Sequence, residues 1–340
     1  MSEKMTAYGF GHPGDKSNSP IFEEKTIDKP KPHGRQILVE VKAVALNPTD
    51  VATWQMKKED DDSFTVLGRD IAGIIVETGD HVELFKEGDE VFYPGSSNVQ
   101  GAQADYHVID ERMVALKPDN LDFAEAAALP LTALTAYETF YDRLRIPENS
   151  NEPVTLLIIG AAGGVGSIAT QIALNDGIHV IGTASRDESR EHLAHLGITK
   201  IINHKEPYQP QLKELGIDTV DYIFLASNAD ENIKEVSKIV SPQGHVCSIL
   251  PLRTPLPMSF FSKSVTFSYE LMYTRSIYEA SDWIKQHNYL TQLKTHIESG
   301  NLKTTINHRF HSMNSENLTK AYEQLMTGHT IGKIVLEHHN

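Results

Sequence analysis

The sequence predicts an α/β protein in which a doubly wound parallel sheet is joined to a smaller, barrel-like β domain. Three observations predict it. Beyond residue 153, short apolar runs alternate with amphipathic stretches, strand then helix, several times over. The first third carries short strands broken by Gly and Asp turns. A run of small residues, "GAAGGVG" (160–166), lies between the first apolar run and the first helix of the alternating part. The length of 340 residues fits about two domains at roughly 150 residues each.

From Arg35 the chain reads "RQILVEVKAVA", where Ile37, Val39, Val41 and Ala43 alternate with Leu38, Glu40 and Lys42 at the two-residue period of a strand. "DIAGIIVETGD", "FKEGDEVFYPG" and "QADYHVID" supply further strands punctuated by turn residues, and they carry the β domain to about residue 122. The pattern then becomes helical in "DNLDFAEAAALPLTALTAYETFYDRL", with Asp122 as a plausible N-cap, and the domain change is placed there. The alternating part runs "VTLLIIG" with "GGVGSIATQIALNDG", "HVIGTAS" with "RDESREHLAHLG", "KIINH", "DYIFLAS" with "ADENIKEVSKIV", and "GHVCSIL". Each strand is nearly continuous in apolar residues, as strands covered on both faces require.

The glycine run occupies the place where a dinucleotide fold carries its phosphate loop. Gly163 would let the chain turn tightly and approach a diphosphate, and Gly166 would let the helix pack on the strand. The free N–H groups of the loop and first turn, Ala162, Gly163, Gly164, Val165 and Gly166, would receive the anion. Ala161 stands where the usual first glycine would be, so "AAGGVG" is a variant of the common pattern. The second strand ends "GTASRDE" without the acidic residue that takes a ribose 2′-hydroxyl. Ser185 falls 22 positions after Gly163, followed by Arg186 and, one turn on, Arg190. A small hydroxyl beside a cation suits a 2′-phosphate, which favours NADPH. Two alternatives stay open at this point: Ser185 capping the next helix with Arg186 in a solvated first turn, and use of both nucleotides.

The 46 acidic against 31 basic residues give a formal charge of −15, which repels nucleic acid and anionic lipid. One cysteine, Cys247, allows neither an internal disulfide nor a cysteine metal cluster, as in a reducing cytoplasm. The N-terminal stretch lacks the apolar core of a signal peptide, and no run of 18 apolar residues occurs, so a cytoplasmic protein is expected.

"ALNPTD" (45–50), "GRDIAGIIVETG" (68–79), "FKEGDEVF" (85–92), "LPLTALTAYE" (129–138), "GAAGGVG" (160–166) and "GKIVLE" (332–337) together resemble the medium-chain dehydrogenase/reductase superfamily, and within it the zinc-free quinone oxidoreductase branch. The resemblance implies a GroES-like β domain over 1–122, completed by 303–340, and a Rossmann domain over 123–302, with the active cleft where they meet. It also implies homodimers joined through the edge strands of the Rossmann sheets, with "KSVTFSYELMY" (263–273) as the candidate. Zinc-dependent relatives carry an early cysteine and a Gly-His-Glu. Here Asn47 or Pro48 and "GRD" (68–70) stand in those regions, and the four-cysteine structural lobe is missing. No metal site is therefore expected, and the tail "EHHN" is read as a solvated terminus.

Without a Lewis acid, an acceptor that spreads charge over a conjugated system is the natural substrate, so hydride transfer from NADPH to a quinone or α,β-unsaturated carbonyl is expected. Resemblance and place in the pattern assign Asn47 and Asp50 to the catalytic end, although "NPTD" also reads as an Asx turn before a helix. Thr132 and Thr135 are assigned to the nicotinamide ribose or amide, and Ser227, Leu250 and Pro251 to the carboxyl edge of the sheet, by backbone more than side chain. His204 stands where relatives often place a tyrosine near the adenosine phosphate. Tyr93, Met272 and Tyr273 are candidates for the acceptor wall. A zinc-type alcohol dehydrogenase and a non-catalytic NADPH-binding sensor are the competing readings.

Overall fold

The structure is a computed structural model and describes residues 3–16, 18–147 and 154–338. The N-terminal part holds strands β1 (Lys4–Phe10), β2 (Glu23–Asp28), β3 (Gln36–Ala45), β4 (Thr65–Val66), β5 (Asp70–Thr78), β6 (Glu90–Pro94), β7 (Tyr106–Asp110) and β8 (Ala115–Leu116), with helices α1 (Pro48–Met56) and α2 (Phe123–Ala127). Helix α3 (Pro130–Tyr137) leads into the alternation β9 (Thr155–Ile159), α4 (Gly164–Asn175), β10 (His179–Thr183), α5 (Asp187–His195), β11 (Lys200–Ile202), α6 (Tyr208–Glu214), β12 (Val220–Leu225), α7 (Ala229–Ile239), β13 (Val240–Ser248), α8 (Met258–Ser262) and β14 (Thr266–Tyr269). The chain closes with α9 (Thr274–Ile277), α10 (Lys285–Glu298), β15 (Ile306–Phe310), α11 (Ser315–Met326) and β16 (Lys333–Glu337).

Two compact units result, residues 1–131 with 273–340, and residues 132–272. The sequence placed these divisions at 122/123 and 302/303. The difference has a packing cause, because α2 lies on β3, β5 and β16, and α10 lies on β8 and the 3-10 turn Glu111–Met113. Both segments thus belong to the β unit even though their pattern is helical.

In the first unit one sheet runs β15-β16-β3-β5-β6-β8 and a second runs β2-β1-β4. The ten-residue β3 is its axis. On the edge away from β5 it pairs with β7 over Gln36–Glu40 and with β16 over Ala43–Ala45, a hand-over that follows a register irregularity between Val41 and Ala43. Ile37, Val39 and Val41 are buried on the expected alternation, but Leu38 is buried as well, so β3 is covered on both faces at that point. The C-terminal strand completes the sheet. The tail does not end in solvent at residue 338: the buried His338 meets Asp105 at 2.9 Å, and its N–H donates to the Lys42 carbonyl. His339 and Asn340 lie outside the described residues.

The second unit is a six-stranded sheet in the order β11-β10-β9-β12-β13-β14, with every pairing parallel. That is the doubly wound order, and it reverses direction between β9 and β12, where ligands of such sheets bind. Leu157, Ile181, Ile223 and Leu225 from the strands pack with Ile233, Val236 and Ile239 from the apolar stripe of α7. Among the described residues, no helix is long and apolar enough to cross a membrane.

Asp122 caps α2 as its position suggested: its carboxylate accepts the Glu125 N–H at 2.8 Å, and Glu125 reciprocates at 2.9 Å in a capping box. Arg309 on β15 also donates to Asp122 at 2.7 Å. Asp122→Ala removes the cap and strands this arginine contact. It is expected to cost about 1–2 kcal/mol, read as a lower urea midpoint with an unchanged slope.

Candidate functional site

In the second unit the site is built at the carboxyl ends of the strands. β9 ends at Ile159, and Gly160 then takes φ +83°, a conformation that side-chain-bearing residues resist. The tight turn therefore belongs to Gly160 and not to Gly163, whose φ of −75° any residue adopts. Gly163 caps α4, and a Cβ there would meet only the Gly160 carbonyl at 3.4 Å, so this face of the loop is open. Gly166 has no such room. A Cβ on it would fall 2.2 Å from the Gly160 carbonyl, so this glycine brings the helix onto the strand end, as its place suggested. Ala162, Gly163, Gly164 and Val165 are half-exposed, and the first turn of α4 carries no acidic side chain. An open glycine cradle at a helix N-terminus with no side-chain cap fits a diphosphate.

Around this loop the other strand ends supply side chains. The Gly160 N–H donates to Thr183 Oγ1 at 3.1 Å, and the Ser227 hydroxyl sits where a Cβ of Gly160 would be. The N-cap of α5 is Arg186, not Ser185, so capping does not account for that serine. Arg186 is half-buried and not a fully solvated first-turn residue. His204, just past β11, lies in its field. Burial first, then the Lys205 and Arg186 charges, hold the imidazole below its ordinary value, while Glu231 on α7 pulls the other way. Leu250 and Pro251 line a cavity of about 210 Å³ with Asn228, Ala229, Asp230 and Glu231. The Leu250 N–H donates to the Ser248 hydroxyl at 3.1 Å and its C=O accepts from that hydroxyl at 2.8 Å, which fixes the backbone there, while the side chain is exposed. Thr132 and Thr135 are buried in α3.

The first unit holds a second constellation, which sequence reasoning found only in part. Asn47 Nδ2 donates to Asp70 at 2.9 Å, Lys333 Nζ donates to the same carboxylate oxygen at 2.8 Å, and Lys333 also donates to Asn47 Oδ1 at 2.6 Å. The three side chains close a ring. The other Asp70 oxygen accepts the Leu131 N–H at 2.7 Å, and Lys333 spends a further proton on the Leu46 carbonyl. Burial pushes Asp70 above the usual carboxylate range, against the pull of Lys333 and Asn47. Both polar ends of the Asn47 amide are thereby engaged within the protein. Asp50 is likewise engaged: its carboxylate accepts the N–H groups of Asn47 and Gly68 at 2.9 and 3.0 Å, while burial raises it to about 6. The turn-forming reading of "NPTD" describes these bonds. Lys333, missed earlier, carried a signal, since it is the one cation in the apolar terminal strand "KIVLE" and a buried lysine demands a partner.

Arg69 donates to the carbonyls of Ser96 and Val99 and so anchors the 95–101 loop. Of the proposed acceptor-wall residues, Tyr93 is wholly buried, with its hydroxyl 3.2 Å from His107 Nδ1 and its ring stacked on that imidazole. Met272 is buried at the end of the second unit. Tyr273 lies in the first unit, within the field of Asp50, Arg69 and Asp70.

Comparisons with known proteins agree with this architecture. The alcohol dehydrogenase GroES-like domain model matches residues 33–119, and the zinc-binding dehydrogenase model matches residues 164–286. A zinc-type alcohol dehydrogenase-like protein of Staphylococcus aureus is 40% identical over 335 residues, covering 98% of this chain and 99% of that protein. A chloroplastic NADPH-dependent alkenal/one oxidoreductase of Arabidopsis thaliana is 30% identical over 322 residues, covering 92% of this chain and 75% of that protein. The crystal structure of a candidate zinc-dependent alcohol dehydrogenase from Rhizobium etli superposes with a TM-score of 0.94 at 38% identity, each chain covered in full.

The zinc in these names does not fit the donors present. The ring around Asp70 is closed by an ammonium, the Arg69 charge acts on the neighbouring Asp50, and Asn47 is a poor zinc ligand already held at both ends. Cys247 lies on β13 with its thiol pushed up to about 12, chiefly by burial, far from the thiolate a zinc site needs. Among the described residues no three His, Cys, Asp or Glu side chains gather as a metal would require. The parallel sheet with its glycine cradle, the GroES-like strands and the full-length relatives carry one conclusion: the chain belongs to the medium-chain dehydrogenase/reductase superfamily.

Proposed function

We propose that the chain is an NADPH-dependent oxidoreductase that passes a hydride to a quinone or an α,β-unsaturated carbonyl compound without zinc, as in the zinc-free branch of its superfamily. The observation that carries this reading is the ring of Asn47, Asp70 and Lys333. An ammonium already neutralises the buried carboxylate, so the charge that develops on an acceptor has to be spread by the acceptor itself, which conjugated compounds do and simple ketones do not. The Arabidopsis relative, named for alkenals and enones, supports the same substrate class.

NADPH would supply a hydride from its nicotinamide. The protein's part is to hold and orient it. The N–H groups of Ala162 to Gly166 and the α4 N-terminus receive the diphosphate, and Arg186 with His204 and Lys205 receives the 2′-phosphate. Ser227, Leu250 and Pro251, with Thr132 and Thr135, are assigned to the nicotinamide end. Asn47 and Asp50 shape the acceptor end through the bonds they hold, without direct chemistry.

We propose further that two copies join through β14, the last strand of the parallel sheet, whose free edge offers unpaired backbone groups. Beside it Met258 and Phe261 on α8 are 78% and 83% exposed, an apolar rim that a second copy would cover.

Removing a charge-assisted contact to the 2′-phosphate costs about 1.5–3 kcal/mol, or roughly 10- to 150-fold in affinity. Arg186→Ala is therefore expected to weaken NADPH binding by about that factor while leaving NADH binding unchanged, as measured by nucleotide fluorescence titration. An unchanged NADPH/NADH ratio sinks the cofactor assignment. In the same preparation, turnover of enones or quinones is expected to survive EDTA. Activity that falls with removal of about one zinc per chain would instead support the alcohol dehydrogenase reading. Light scattering is expected to give about twice the 37.9 kDa chain mass, and Met258→Glu with Phe261→Glu to shift it toward the monomer.

A further inference from the structure

Two fully buried tyrosines of the first unit have partners for their hydroxyls. Tyr93 meets His107, and Tyr322 accepts a hydrogen bond from Gln103 at 2.8 Å. Tyr273 is only 7% exposed, yet its hydroxyl has no partner of normal geometry among the described residues. The neighbouring Thr49 hydroxyl is buried in the same condition. A contact between the two would use one of their two protons and leave the other without an acceptor. Desolvated donors left unmatched are rare in native proteins, and a pair of them side by side calls for something that accepts.

Resting on the proposed reduction of conjugated acceptors, we infer that the Tyr273 hydroxyl donates the hydrogen bond that receives the acceptor's carbonyl oxygen. As a conjugated acceptor takes a hydride at its β-carbon, the C=C electron pair shifts and negative charge collects on that oxygen. The phenol O–H stabilises this charge without giving up its proton, and the α-carbon then takes a proton from water. The donor is preorganised. The Tyr273 carbonyl is held by the Ser276 hydroxyl at 3.0 Å and the Ile277 N–H at 2.8 Å, and Asn98 in turn donates to the Ser276 carbonyl. Burial, with the Asp50 charge behind it, pushes the phenol above its ordinary value, so it stays protonated through any ordinary assay range. This is the stabilising role that a Lewis acid would otherwise fill.

The test is Tyr273→Phe, assayed with NADPH against 2-cyclohexenone, trans-2-hexenal and 1,4-naphthoquinone, alongside thermal melting and NADPH titration. The expected result is a fall in kcat of about 10²-fold, with little change in KM or NADPH affinity, and a melting temperature equal to or above wild type, because a donor without a partner has been removed. A variant with wild-type kcat overturns the inference alone. So does a variant that melts well below wild type, since the hydroxyl would then be a structural contact. Wild-type protein inactive with all three acceptors despite NADPH binding overturns the proposed function, and this inference with it.

Discussion

The first unit depends on a buried charge pair that a turn and a terminal strand share. Asp70 begins β5, Asn47 follows β3, and Lys333 opens β16, some 260 residues later in the chain. An ammonium 3% exposed and a carboxylate with no exposure cannot be left alone in such a place. Deleting one member of a buried pair costs about 3–5 kcal/mol, whereas replacing both with apolar groups can be neutral. Stability alone therefore does not explain the ring. Its geometry does more: it sets the register at which β16 joins β3 and fixes both ends of the Asn47 amide, so the turn leading into α1 has one conformation. With Asp50 bridging the N–H groups of Asn47 and Gly68, the loops after β3 and before β5 become one rigid body.

Rigidity has a different origin in the second unit. The sheet is parallel throughout and covered by helices, and its ligand edge is made by close approach between backbones. Gly166 lets the first turn of α4 sit against Gly160, and Gly160 lets Ser227 sit against the loop. The cradle is thus shaped by the absence of Cβ atoms at two positions. Basic side chains stand at the ends of β10 and β11, where Arg186, His204 and Lys205 lie.

How much of this was legible in the sequence follows from the range of each interaction. The alternation after residue 153, the Asp122 capping box and the glycine cradle are local, and their residues lie within a few positions of one another. Long-range features were not legible. Nothing near Lys333 shows that Asp70 and Asn47 await it, and nothing in the helical text of 123–131 or 285–298 shows that these helices cover the β unit. The tight turn was read at Gly163, and only backbone dihedrals show that the left-handed residue is Gly160. Asn47 and Asp50 come from one short motif, but that Asp50 accepts the Asn47 N–H and that Asn47 bonds to Asp70 and Lys333 could not be read from it.

The proposed binding of an anionic dinucleotide by a chain with a formal charge of −15 needs an account of why attraction wins. Distance decides it. At physiological ionic strength exposed charges are screened over about 8 Å, so acidic residues elsewhere on the surface act weakly on the loop after β9. At the loop itself the first turn of α4 carries no acidic side chain, and Arg186 and Lys205 act together on His204 at the ends of β10 and β11. Acids do stand at the neighbouring helix starts, Asp187 and Glu188 on α5 and Asp230 and Glu231 on α7. The Asp230 carboxylate is engaged with the N–H groups of Arg253 and Thr254, and Glu231 draws the half-buried His204 imidazole toward its charged form. An acid beside an anion site therefore acts through a histidine, opposing the desolvation that would otherwise keep that imidazole neutral. The net charge of the molecule and the sign of its nucleotide cradle are set by different residues.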